Sequence, residues 1–383
     1  MKKVQKSRTI FLIVVFVFAA ILFSVAAFAD NSTDELVEKY LDSVPMDEAS
    51  EKIPSETKKI FDKMGLDINL KELMKISPKE FFGIILSEVK AYISKPLKVT
   101  ATIVGIIIIN SLCFGLKNSF MEGSLGGVFV MVSVLSLVGF ISSPIIEIIK
   151  ETSISIKYSC DFVLSFIPVL SAVIIGGGFA TAGSTYTIML FFFCELMSTV
   201  CSKFFTPFMG IYFALSVLGS IVPEISLSSV SETIKKAVVW SFSLMTTVFV
   251  SFLSLQTIVS VGADTISFKA AKFVVGSFVP VIGNALSDAL STAHSCVNMM
   301  KNTIGAFGII VIAIGFVPLI IKLCVWYLCI NICKELGNLM GTSAIAGVLG
   351  SASFCIGILI SIVLCFGLIV IVSTTIVMVW VSP

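Results

Sequence analysis

Residues 336–383 contain no Asp, Glu, Lys or Arg, and residues 162–194 form a second uncharged run. Runs of this length decide the class. A bilayer core about 30 Å thick needs about 20 apolar residues per crossing helix, and shorter uncharged runs of that order recur at 99–116, 126–146, 204–223, 237–263 and 302–321. Composition agrees, with 57% hydrophobic and 13% charged residues and a mean hydropathy of +1.06, against roughly 25% charged residues in a soluble domain. The chain reads as an all-α polytopic membrane protein. Its formal charge of +2 says nothing about partners.

The first 29 residues have the form of a secretory signal. Lys2, Lys3, Lys6 and Arg8 form a basic start, residues 10–25 an apolar run, and Ala27-Phe28-Ala29 a small-x-small cleavage site. Residues 30–96 differ in kind: they hold 14 of the 24 acidic residues and ten lysines, without a cysteine. So short and charged a segment buries little core alone, and it is expected to form a few short extracytoplasmic helices. Its best-patterned part is 78–93, where Phe81, Ile85, Val89, Tyr92 and Ile93 share one helical stripe. Pro78 suits a first helical turn with Ser77 as N-cap, and such a helix fits the membrane surface or a partner.

Residues 97–383 form the transmembrane domain, with about eight spans expected. Within 162–194, Pro168, Gly176–Gly178 and Gly183 suggest a broken helix followed by a second that runs through Glu195. Residues 273–286 are short for a crossing and suit a re-entrant segment, tolerated where it is buried in protein or lines a cavity. Residues 336–383 are long enough for one helix or two.

One segment occurs twice. TSISIKYSCDFVLSFIPVL (152–170) and DTISFKAAKFVVGSFVPVI (264–282) share eight of 19 positions at a constant offset of 112, among them Lys157/Lys269, Ser165/Ser277 and Pro168/Pro280. This suggests two repeats, about 99–203 and 206–321. Paired hydrophobic segments interrupted by Pro or Gly point to a transporter-like core. Pro168 and Pro280 are each expected to break or kink a helix. Ser165 and Ser277, three residues earlier, are placed to bond a backbone group that the break frees. Pro318, in an unmatched span, serves as the contrasting proline. With residue 30 outside, the first span runs inward, Lys117 and the 224–236 loop with Lys235 and Lys236 are cytoplasmic, and the repeats point the same way.

Glu195, in FFFCELM, is the acidic residue deepest in an apolar helix. Ionised groups there are costly, so it is expected to face protein or water rather than lipid. Asp161, Asp264 and Asp288 flank the interrupted segments, either lining a vestibule or marking helix ends. The ten cysteines and His294 match no zinc-site spacing; no metal or cofactor is expected, and the cysteines behave as small apolar residues. Gly337 and Gly341 make a lone GxxxG, of use for close packing. No nucleophile–base pair, intramembrane aspartyl-protease motif or Walker motif is present, so no enzymatic activity is expected.

The run FLSLQTIVSVGADTISFKAAKFVVGSFVPVIGNALSDAL (252–290), with KNTIGAFGII from Lys301, resembles the central signature of the stage III sporulation protein AE family. Gln256, Asp264, Lys269 and the Phe278-Val279-Pro280-Val281 run carry the resemblance, and the signal, charged outer segment and polytopic remainder extend it over nearly the whole chain. It implies a component of a secretion-like sporulation channel complex in the mother-cell membrane around the forespore. Other stage III sporulation proteins and a separate ATPase would be its partners, and no catalytic residues are implied. The repeat leaves a secondary transporter for a small solute as the alternative.

Overall fold

The computed structural model describes residues 51–54, 57–59, 62, 78–120, 125–221, 229–252, 254 and 283–380. Every regular element among them is helical: α1 Pro78–Phe120, α2 Leu125–Gly176, α3 Ala180–Val200, α4 Thr206–Ile221, α5 Ser229–Phe252, α6 Gly283–Leu339 and α7 Ser343–Trp380. Six spans are long and apolar enough to cross a membrane: Tyr92–Leu112, Met131–Gly176, Ala180–Ile221, Ser229–Phe252, Val297–Leu339 and Ser343–Met378.

The described residues therefore give six spans where the apolar runs suggest more. The runs at 126–146 and 162–176 lie on one uninterrupted helix, α2. Between them Glu147, Lys150, Glu151, Lys157 and Asp161 are good or tolerable helix residues, and they turn toward neighbouring helices or solvent instead of ending the element. At 1.5 Å per residue, the 52 residues of α2 reach about 78 Å, more than twice a bilayer core. The helix expected over 78–93 is likewise not separate; it begins at Pro78, as that residue suggests, and continues through Pro96 into the first span. Residues 343–380 form one helix.

Pro168 does not end α2. The helix continues eight residues further and stops at Gly176, before a Gly177-Gly178 turn. Gly178 takes φ +91°, which suits glycine. Phe179 N–H reaches the Ile174 carbonyl at 3.2 Å and Gly178 N–H the Ile175 carbonyl at 2.9 Å, the pattern of a Schellman cap. The α6–α7 hairpin ends the same way: Gly341 has φ +76°, and the N–H groups of Thr342 and Gly341 return to Gly337 and Asn338. Gly337 and Gly341 thus belong to this turn, and Gly337 also lies close against Ala346 of α7. Ser165 also differs from expectation. Its hydroxyl donates to the Asp161 carbonyl at 3.0 Å, whereas the carbonyl freed by Pro168 is that of Leu164, four residues back.

The helices pack around a core drawn mainly from α2, α3, α6 and α7. The uncharged α7 is buried on most sides, as a helix apolar all round should be. Phe162, Phe166, Tyr186, Phe193, Phe307, Phe316 and Phe366 are almost fully enclosed. Close approach depends on glycine at Gly308, where a Cβ would collide with the Phe166 ring. Small polar side chains cross-link the helices, as membrane bundles often do: Ser133 to Asn110 (3.3 Å), Tyr186 to Thr374 (3.0 Å), Ser353 to Asn331 (3.0 Å), and Ser216 to Ser351.

Between α3 and α4 a single π turn, Cys201–Phe205, interrupts the α pattern. Pro207 supplies a reason. It cannot donate to the Lys203 carbonyl and crowds it, and the wider turn relieves that crowding. Thr206 compensates, sending both its N–H and its hydroxyl (2.8 Å) to the Cys201 carbonyl.

Candidate functional site

Ionisable residues within spanning helices are the first place to look for function. The bundle gathers several of them at one height. Glu147 and Glu151, one turn apart on α2, share a face, and two carboxylates so placed repel each other unless cations intervene. Each receives one from a different helix. Lys95 of α1 donates to Glu147 at 2.6 Å, and Lys322 of α6 pairs with Glu151. The first pair is open, with both side chains at least half exposed; the second is more enclosed, with Lys322 at 16% and Glu151 at 41%. The Lys322 ammonium also lies 6.0 Å from the Tyr92 ring centre, at the outer limit of a cation–π contact.

Tyr92, Glu147, Glu151 and Lys322 line a cavity of about 400 Å³ together with Lys150, Ser155, Tyr158 and Ser159 on α2 and Gly315, Pro318 and Leu319 on α6. Glu147 lies more than 20 residues from either end of α2, and a bilayer core covers about 20 residues of helix. The stretch of α2 on either side of Glu147 is therefore long enough to cross a bilayer core by itself.

Pro54 forms part of the same cavity wall, so a piece of the N-terminal segment reaches the bundle. Ile53 and Thr57 are both buried. Thr57 sits over Gly315 of α6, its hydroxyl 2.8 Å from where a Cβ would be. Among the described residues that hydroxyl has no hydrogen-bond partner.

The opposite side of the bundle is apolar. A cleft of about 890 Å³ lies between α3 and α5, lined by residues such as Ile188, Phe192, Trp240, Leu244 and Phe252. Glu195 is exposed on α3, on the stripe of the exposed Phe191 and Phe192. It does not turn into the bundle, and among the described residues it has no ion-pair partner. α3 buries its other face, through Tyr186, Leu190, Phe193 and Met197, which leaves Glu195 on the exposed one.

Of the remaining residues singled out from sequence, Asp161 is exposed on α2 and borders a gap under Ile53 and Pro54. Pro168 is exposed and lines neither the charged cavity nor the apolar cleft. Gln256, Asp264, Lys269, Ser277 and Pro280, with the second copy of the repeated segment, lie outside the described residues, as does the side chain of Asp288. The described cysteines are unpaired and mostly buried, and no group of three His, Cys, Asp or Glu residues that could hold a metal ion occurs among the described residues.

The four residues that form the ion pairs were not singled out from sequence, although one signal was present. Lys322 is the single charged residue between Lys301 and Lys334, as isolated as Glu195, but it falls where an apolar run of span length ends and so reads as a boundary marker.

The model of the family described as Stage III sporulation protein AE matches residues 62–380. The chain belongs to the stage III sporulation protein AE family. A curated family member, Stage III sporulation protein AE of Bacillus subtilis (strain 168), is 22% identical over 245 residues, covering 64% of this chain and 61% of that protein's length. No solved structure matches. Membership in the stage III sporulation protein AE family ties the chain to sporulation, and the matched region includes the whole charged belt.

Proposed function

We propose that this chain is a membrane component of a channel complex connecting mother cell and forespore, residing in the mother-cell membrane and required for forespore development. The family match over residues 62–380 carries this reading. The charged cavity adds a physical role: ion pairs at the edge of an apolar bundle provide a hydrated recess that a lipid-facing scaffold alone would not need. Partners would be other stage III sporulation proteins, with a separate ATPase supplying any energy, and the chain itself would perform no catalysis. The signal segment would be removed and residues 30–96 would lie outside the cytoplasm, with α1 running inward from the charged belt. The two repeats would be parallel. Family membership favours this role over a solitary solute transporter.

Reconstitution tests the reading. Purified full-length protein in vesicles should pass no small solutes alone and should acquire flux only together with its co-purifying sporulation partners. Solute flux by this chain alone would replace the proposal with a transporter. A tag after Asn31 should be reachable from outside the cell and one at 228–231 should not; both on one side would overturn the orientation.

A further inference from the structure

The contact between the N-terminal segment and the bundle has a built seat. Residues 51–54 and 57–59 hold their own turn: Lys58 N–H donates to the Pro54 carbonyl at 3.0 Å, and Lys58 Nζ to the Glu51 carbonyl at 2.9 Å. One end lies along Tyr158, Asp161 and Leu164 of α2, around a gap of about 600 Å³. The other places Thr57 on Gly315 of α6. The segment therefore crosses from α2 to α6. Tyr158 is seven residues from Glu151 and Gly315 seven from Lys322, so the crossing lies two turns, about 10 Å, along both helices from the ion pair.

Two observations give this crossing a purpose. Pro54 is part of the wall of the charged cavity itself, so removing the segment removes that wall. The seat is also unevenly made. Ile53 joins the hydrophobic core, but the enclosed Thr57 hydroxyl finds no hydrogen-bond partner among the described residues, and a buried polar group without one favours departure to water. A covering meant to stay would more naturally place an apolar side chain on Gly315.

We propose that residues 51–54 and 57–59 form a releasable strap that closes the charged cavity at its Gly315 end, and that the cavity opens when the strap leaves its seat. This builds on the cavity described above, but its test needs neither sporulation nor a partner. The Thr57 Cβ lies 3.9 Å from the position of a Cβ on Gly315, within the range that a disulfide spans. In membranes holding the full chain, Thr57→Cys with Gly315→Cys should cross-link on mild oxidation. The product is read as two fragments that stay joined, until reduction, after cleavage at a protease site inserted at 222–228. Glu51→Cys with Gly315→Cys should not cross-link.

Opening is read separately. Ser159 lines the cavity and is 7% exposed, so a cysteine there should react slowly with a charged, membrane-impermeant maleimide, relative to the parent chain. Gly315→Leu, which fills the seat of Thr57, should speed that reaction about tenfold. Ile53→Asp, which changes a residue of the strap and none of the bundle helices, should do the same. Failure of the first pair to cross-link, or an unchanged rate in Ile53→Asp, would overturn the strap while leaving the channel reading intact.

Discussion

The two flanks of the bundle solve the same problem in opposite ways. On the side of α1, α2 and α6, four charged residues from three helices meet as Lys95–Glu147 and Lys322–Glu151. On the side of α3 and α5, a cleft twice as large is almost wholly apolar, and the nearby Glu195 is exposed, with no ion-pair partner among the described residues. A charge in a spanning helix is tolerable when it finds an opposite charge or water. The first flank supplies partners and the second supplies exposure. Function that needs a fixed polar geometry belongs on the first, since among the described residues the ion pairs that join two helices lie there.

The sharpest way to break that contrast is Lys322→Leu. It leaves Glu151 without its cation, one turn from Glu147, and should destabilise the bundle by about 2 kcal/mol, the scale of a lost hydrogen bond to a charged group. The expected readout is reduced membrane abundance, a lower unfolding midpoint and failed forespore development. Exchanging the charges, Glu151→Lys with Lys322→Glu, should recover at least half of the midpoint loss. Loss without recovery would mean that the pair's identity, beyond its charge balance, matters.

A middle-sized effect separates the prolines. Pro318 is buried in the cavity wall, whereas Pro168 is exposed on a helix that is already continuous. Pro318→Ala should impair spore formation more than Pro168→Ala, with abundance measured for both. That ranking reverses the order which the repeated segment alone suggests, and an impaired Pro168→Ala protein at normal abundance would restore a mechanical role for the repeat.

The smallest effects are expected on the apolar flank. Glu195→Leu and Trp240→Ala should each leave the unfolding midpoint nearly unchanged, as exposed positions usually do, within about 0.5 kcal/mol. If Glu195→Leu nevertheless lowers recovery of co-purifying proteins, while Glu195→Gln does so less, the second flank is a contact surface and the asymmetry drawn above is too simple.

Apolar run length made the class legible, and the motif around residues 252–290 made the family legible. Helix boundaries were harder to read, for one physical reason. A cluster such as Glu147, Lys150 and Glu151 looks like the end of a span when read along one strand of sequence. It becomes an interior feature once Lys95 and Lys322 approach from other helices, and neither lies near it in the chain. Glu195 stood out because its neighbours are apolar, but isolation in sequence does not tell which side of a helix is buried. Pro168 does not end α2, since a helix tolerates one missing N–H when the carbonyl it leaves free can be satisfied otherwise. Gly178, by contrast, could be trusted as a stop because its φ of +91° suits few other residues.

The π turn at Cys201–Phe205 has a further consequence. A helix advances about 100° per residue, so one extra residue held in a widened turn dials everything after it round by that angle without bending the chain away. Upstream, Tyr186 and Phe193 address α7; downstream, Ser216 still meets Ser351 of the same helix. The turn acts as a phase correction along more than 40 residues of continuous rod. It keeps the two ends of that rod in step with a partner whose own helix has no such insertion. Removing a single residue there would change no side chain elsewhere, yet it would put every later contact of α4 out of phase with the helix it faces.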